Sequence, residues 1–180
     1  MKVIGFCGKS GSGKTKALEY IADLGPIVTM GDVIRNEAKT RNIELSSENL
    51  GKIAIDLREK YGQDIVAKRC VELIKSLNKE VVFVDGMRSK IEINVFREEW
   101  KFPIVAIELG EQERFNRLLA RGRSDDPKSI NELRARDKRE NNFGLDEVIK
   151  AANYTIINDK SNKSLKKNIR KLVKKILKSY

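Results

Sequence analysis

From residue 8 to residue 15 the chain reads Gly8-Lys9-Ser10-Gly11-Ser12-Gly13-Lys14-Thr15, two glycines five apart followed by Lys and then Thr. An apolar run, Val3 to Cys7, precedes it and the helix-like Lys16 to Ile21 follows. Strand, glycine loop, helix is the setting of a phosphate-binding P-loop. The glycines let successive backbone N–H groups turn inward on phosphate oxygens, and the helix N-terminus adds its positive dipole end. Lys14 would reach the β- and γ-phosphates of ATP and Thr15 would put its hydroxyl on Mg²⁺. The plainer alternative is a Gly/Ser turn that joins a strand to a helix.

Three other charged groups belong with this loop if they follow strands. Asp85 ends the apolar run Val81 to Val84, where a carboxylate would help organise Mg²⁺ by holding a metal-bound water or Thr15; a strand-terminal turn residue capping Gly86 is the alternative. Arg35 and Arg88 fall just past strand ends and suggest a second phosphate gripped by planar guanidinium forks; surface ion pairs are the alternative. From Arg117 to Arg139 arginines are dense and interleaved with acids. They read either as a solvated helical hairpin or as a lid whose cations offset the charge on a γ-phosphoryl group in transfer. The chain has no histidine, which is no handicap when the acceptor is already a phosphate oxygen.

To bring these groups together the chain must alternate strands and helices. Strands are expected at Val3–Cys7, Pro26–Met30, Val81–Asp85, Pro103–Glu108 and Tyr154–Ile157. Helices are expected from Gly31, from a Ser46 or Ser47 cap towards Gly62, from an Asp64 cap through Leu77, and over Lys90–Trp100, Gln112–Arg121 and Leu145–Ala152. A basic helix closes the chain. This alternation predicts an α/β fold with a five-stranded parallel sheet covered on both faces. Ligands bind such sheets outside the strand C-terminal ends. Thr15, Gly31, Asp85 and Asn158 all follow strands, so their loops open on one edge.

The 180 residues suit a single domain spanning 1–180, with 35% charged residues and no apolar run that approaches the length of a membrane span. No signal peptide is read, and a cytoplasmic location is expected. Cys7 and Cys70 sit in apolar patterns and read as buried hydrophobes. The net charge of +11 is local: nine of the 37 basic residues lie between 160 and 180, where there is no acid. Leu165, Ile169, Leu172, Val173, Ile176 and Leu177 recur there at helical spacing, which favours a docked terminal helix with a solvated lysine face over a nucleic-acid contact.

These residues resemble the nucleoside monophosphate kinases. Gly31-Asp32-Val33-Ile34-Arg35 is similar to the adenylate kinase segment whose arginine holds the acceptor phosphate. Val84-Asp85-Gly86-Met87-Arg88 resembles that family's Asp-Gly-Phe-Pro-Arg turn, one residue shorter and without the proline. Arg117 to Arg134 resembles the short lid of uridylate/cytidylate kinases. Ala152 to Asp159 with its Leu-rich closing helix resembles the end of dephospho-coenzyme A kinases, and the chain as a whole resembles an archaeal group of uncharacterised P-loop kinases related to both.

The resemblance implies a P-loop NTPase fold of nucleoside monophosphate kinase type, with acceptor-binding helices in about 31–80 and a lid in about 117–142. It implies that ATP is held by Gly8 to Thr15 and Asn158, with Mg²⁺ at Thr15 and Asp85. Acceptor binding would fall to Asp32, Arg35 and Arg88, and transfer to Lys14, Arg117, Arg123 and Arg134. The expected activity is transfer of the ATP γ-phosphate to a phosphate-bearing small acceptor, a nucleoside monophosphate. The alternatives are a dephospho-coenzyme A kinase and a nucleic-acid-associated ATPase that keeps the fold.

Overall fold

The computed structural model describes residues 1–123 and 126–179; Ser124 and Asp125 of the expected lid, and Tyr180, lie outside the described residues. Five strands, β1 (Lys2–Cys7), β2 (Ile27–Thr29), β3 (Val81–Asp85), β4 (Ile104–Glu108) and β5 (Tyr154–Ile157), form one parallel sheet in the order β2-β3-β1-β4-β5. Nearly every residue of β1, β3 and β4 is buried, as strands covered on both faces must be. In β1, Val3 and Cys7 face one layer, and Ile4 and Phe6 face the other. The same alternation sends Val82 and Val84 to one side and Phe83 to the other.

One apolar layer packs the sheet against α2 (Met30–Thr40), α3 (Ser47–Tyr61), α4 (Ile65–Leu77), α5 (Lys90–Glu99) and α8 (Leu145–Lys150). The opposite layer packs it against α1 (Lys14–Glu19) and α9 (Asn162–Ser179). The helices α6 (Glu111–Arg121) and α7 (Ile130–Asn142) stand beside the P-loop edge. Leu165, Ile169, Val173 and Ile176 of α9 are buried, while its lysines stay exposed. Arg170 fastens α9 to Asp23 by two bonds of 2.7 and 2.9 Å and donates to the Tyr20 carbonyl. Among the described residues no helix is long and apolar enough to cross a membrane.

Local chemistry explains most boundaries. Ser46, Ser89 and Ser129 each accept a hydrogen bond from the backbone N–H three residues on, so α3, α5 and α7 start where their serines stand. Several boundaries differ from the pattern: Pro26 and Pro103 stay outside β2 and β4, and Met30, expected to end the second strand, opens α2. The first helix is Lys14–Glu19 rather than Lys16–Ile21, because the P-loop lysine and threonine are already its first turn. Asp64 precedes α4 without a side-chain cap bond; its carboxylate pairs with Lys68 at 2.7 Å.

Sheet order decides where the site lies. The connection from β1 runs through α1 to β2 on one side, whereas that from β3 runs through α5 to β4 on the other, so the crevice at the C-terminal ends of β1 and β3 is the switch point. Cys7 ends β1 there, opposite Ala106 of β4, and Phe6 lies opposite Asp85 of β3.

Candidate functional site

The loop after β1 curls back on itself. Gly8, Gly11 and Gly13 have φ of 140°, 80° and 100°. A Cβ at Gly8 would lie 2.2 Å from the Ile107 carbonyl oxygen of β4, and one at Gly13 would lie 2.2 Å from the Asn158 amide nitrogen. Only glycine fits either position. Lys14 folds over the loop and donates from Nζ to the Gly8 carbonyl at 2.6 Å. Lys14, Thr15 and the loop glycines line a cleft of 730 Å³.

Two predicted nucleotide ligands act from behind this loop. Asn158 is buried; its Nδ2 donates to the Ser12 carbonyl at 2.8 Å, and its own carbonyl accepts from Arg117 Nη2 at 3.1 Å. Its amide therefore supports the loop and leaves the cleft to others. Lys9 directs its Nζ to Asp146 of α8 at 3.1 Å.

Asp85 lines the same cleft at the end of β3. Its Oδ1 is buried without a partner, as is Ser12 Oγ. Burial pushes the Asp85 carboxyl above its usual range, against the pull of Lys14 and Arg88. A buried, unsatisfied carboxylate oxygen beside a phosphate-binding loop fits a hydrated divalent cation. Among the described residues no three His, Cys, Asp or Glu side chains cluster as a metal cage. A cation here would rely on few protein ligands together with the nucleotide's own oxygens, which is how Mg²⁺ is usually held. Cys7 lies close beneath, and burial raises its thiol to about 12, so it is inert packing.

On the other side of the cleft, Arg35 sits on α2 and pairs with Asp32 at 2.8 Å. Arg88, in the turn after β3, reaches Glu140 of α7 at 3.2 Å. Behind Arg88 is a buried chain of contacts: its backbone N–H donates to Glu92 Oε2 at 2.8 Å, and Glu92 Oε1 accepts from Arg58 Nη2 at 2.6 Å. The Arg58 guanidinium lies over the Phe143 ring, 4.6 Å from its centre. A second cavity, of 190 Å³, opens here with walls of Ile34, Leu50, Ala54, Ile55 and Phe143. Gly31, Arg35, Arg88, Arg136 and Glu140 line both the cleft and this cavity, so the two meet at a charged junction.

Of the arginines of residues 117–142, four line the cleft, Arg139 borders only the second cavity and Arg134 borders neither. The four are Arg117, Arg121, Arg123 and Arg136. Arg134 does not line either cavity and pairs with Glu111 at 2.8 Å in an exposed position. The spacing that singled out Arg134 is thus satisfied by a residue on the outer face of α7, and Arg136, two residues on and about 200° round the helix, borders the cleft. Arg121 forks onto Asp126, whose Oδ2 also accepts the Arg123 backbone N–H at 3.0 Å.

Sequence reasoning gave no role to Arg114, Asp137 or Glu140, and counted Arg136 only among the general run of lid arginines. Leu133, Asp137 and Glu140 fall on one face of α7, and Arg114 shares the face of Leu118 on α6; all five are buried. Charged residues in a buried stripe at helical spacing were the available signal.

Residues 4–143 match the family model described as an AAA domain. A UPF0200 protein of Methanosarcina acetivorans is 41% identical over 182 residues, covering 99% of this chain and 97% of the relative. The chain belongs to the AAA-domain family and to the UPF0200 proteins. A UPF0200/UPF0201 protein of Archaeoglobus fulgidus is 46% identical over 184 residues, and there this UPF0200 chain spans only 57% of its relative's length. Among solved structures, TT1252 from Thermus thermophilus superposes with a TM-score of 0.67 at 17% identity, over 97% of each chain. Shikimate kinase from Acinetobacter baumannii, solved with shikimate, does so with a TM-score of 0.58 at 16% identity, over 99% of this chain and 94% of that one. The UPF0200 fold in this chain is therefore that of a P-loop kinase.

Proposed function

We propose that this protein is a phosphotransferase that moves the γ-phosphoryl group of ATP to a small acceptor carrying a phosphate, a nucleoside monophosphate. The observation that carries this reading is the junction: Arg35, Arg88 and Arg136 border the P-loop cleft and the apolar-walled cavity alike. An acceptor phosphate held there would face the donor, and its organic portion would lie against Leu50, Ile55 and Phe143. A cavity with walls this apolar suits a planar base better than a polyhydroxyl ring.

On this reading the loop N–H groups and Lys14 grip the β- and γ-phosphates. Arg117, Arg121 and Arg123 face the transferring group from the lid side and offset its equatorial charge. Magnesium, held by Thr15 and Asp85, would neutralise phosphate charge. The acceptor needs no general base, because a phosphate oxygen is already ionised.

Incubation with Mg·ATP and a panel of nucleoside monophosphates, shikimate, sugars and dephospho-coenzyme A tests the proposal. A monophosphate should release ADP well above the acceptor-free rate, and Lys14→Ala should lower that rate by roughly 10²–10³-fold. Absence of transfer to every phosphate-bearing acceptor would overturn it.

A further inference from the structure

We propose that Glu140 is the specificity residue of the acceptor-phosphate subsite: its carboxylate stands against Arg88 and Arg136 where an incoming phosphate would sit, and only a dianionic group displaces it. The proposal deepens the phosphate-acceptor reading and rests on it. Arg88 Nη2 and Arg136 Nε approach the same oxygen, Glu140 Oε1, at 3.2 and 3.5 Å. All three side chains border both cavities, and Glu140 is buried. Burial alone would raise the Glu140 carboxyl, but the charges of Arg88 and Arg136 outweigh it and hold the group ionised.

The two partners are not equally free to follow a ligand. The backbone of Arg88 is pinned by Glu92, itself locked to buried Arg58. Arg136 and Glu140 ride together on α7, one turn apart. An arriving anion therefore meets an Arg88 whose backbone is held in place, and must take its guanidinium from Glu140. A carboxylate brings one charge on two oxygens, whereas a phosphate ester near neutral pH brings close to two on three. A phosphate wins that exchange, and a hydroxyl or a carboxylate does not. Glu140 thus lowers the apparent affinity for every acceptor by the fraction of sites it fills, and it lowers it most for acceptors with little charge.

Calorimetric titration of the full chain with methyl phosphate tests this, with the P-loop contribution subtracted using Arg88→Met. Glu140→Gln should bind methyl phosphate roughly ten- to a hundredfold more tightly than the wild type, the scale of one charged hydrogen-bond exchange. Acetate should compete with methyl phosphate in Glu140→Ala, where it refills the vacated position, and should not compete in the wild type. In the wild type, the monoanion methyl sulfate should bind far more weakly than methyl phosphate, a comparison that needs no variant to fold. Equal or weaker methyl phosphate binding in Glu140→Gln, or equal binding of the two esters by the wild type, overturns the proposal. Because the readout is equilibrium binding, a failure of phosphoryl transfer would sink the proposed function and leave these results standing.

Discussion

Arg114 of α6 and Asp137 of α7 form a buried two-pronged pair, with bonds of 3.1 and 2.6 Å, and the same guanidinium donates to the Ser10 carbonyl at 3.0 Å. One side chain thus ties the phosphate-binding loop to both lid-side helices. Removing one partner strands a buried charge, which costs about 3–5 kcal/mol. Arg114→Ala or Asp137→Asn should therefore lower the melting temperature markedly and weaken nucleotide binding as the Ser10 carbonyl loses its anchor. A hydrophobic double replacement, Arg114→Met with Asp137→Leu, should recover much of the melting temperature without recovering nucleotide affinity. Thermal melts and nucleotide titrations of the three variants separate the two effects.

Gly8 and Gly51 should respond to alanine in opposite ways. At Gly8 the new methyl meets the Ile107 main-chain oxygen at 2.2 Å in a left-handed backbone, and neither can yield without moving β4. Gly8→Ala should be destabilised and lose nucleotide binding. Gly51 lies inside α3, and a Cβ there finds nothing nearer than Arg139 Nε at 3.8 Å. Gly51→Ala should gain about 0.5–1 kcal/mol from helix propensity, a rise of roughly 1–4 °C in melting temperature for a chain of this size. Since Gly51 lines the 190 Å³ cavity, acceptor KM rather than ATP KM should register the extra methyl.

The parallel sheet, its order of elements and the P-loop were legible because they rest on local signals. Val81 to Val84 is too apolar for anything but a strand buried on both faces, and Gly8 to Thr15 is a backbone requirement written in residue types. Arg35 and Arg88 were legible from position alone, since both follow strands that end on one edge. What spacing along the chain did not convey was the rotation of α7, which turns Arg136 and Glu140 to the junction and Arg134 away. That rotation is set by Asp137 meeting Arg114 across 23 positions of sequence, and by Phe143 packing on Arg58. These contacts between distant segments have no trace in periodicity beyond a charge in a buried stripe. Asn158 likewise announced its place after β5 but not its task, because the Ser12 carbonyl it supports lies 146 residues away.

Asp85 should make the free protein less stable as pH rises. Burial lifts its folded-state carboxyl above the ordinary 3.8, so the folded chain holds that proton more tightly than the unfolded chain does. The stability this contributes is fully present below 3.8 and is lost as pH climbs through the raised value. At neutral pH, Asp85→Asn should therefore melt at a higher temperature than the wild type, and the gap should close in acid. The same variant should lose magnesium-dependent nucleotide binding. Melting curves over a pH series, with and without Mg·ATP, check both halves. A variant that melts lower than the wild type at neutral pH would show that the carboxylate is already satisfied in the free protein.

Arg134 and Arg136 sit two residues apart on α7 and should differ sharply. Arg134 is exposed, its charge spent on Glu111 across to α6. Ion pairs of this kind contribute little to stability, so Arg134→Ala should leave the melting temperature and the KM for ATP and acceptor close to those of the wild type. Arg136 borders the cleft and the acceptor cavity and shares Glu140 with Arg88. Its loss should raise acceptor KM by roughly ten- to a hundredfold, the scale of a charged hydrogen bond, with little change in the KM for ATP. Steady-state kinetics with each substrate varied in turn decide the matter. If Arg134→Ala instead carries the larger acceptor effect, α7 must present a different face to the junction when substrate binds.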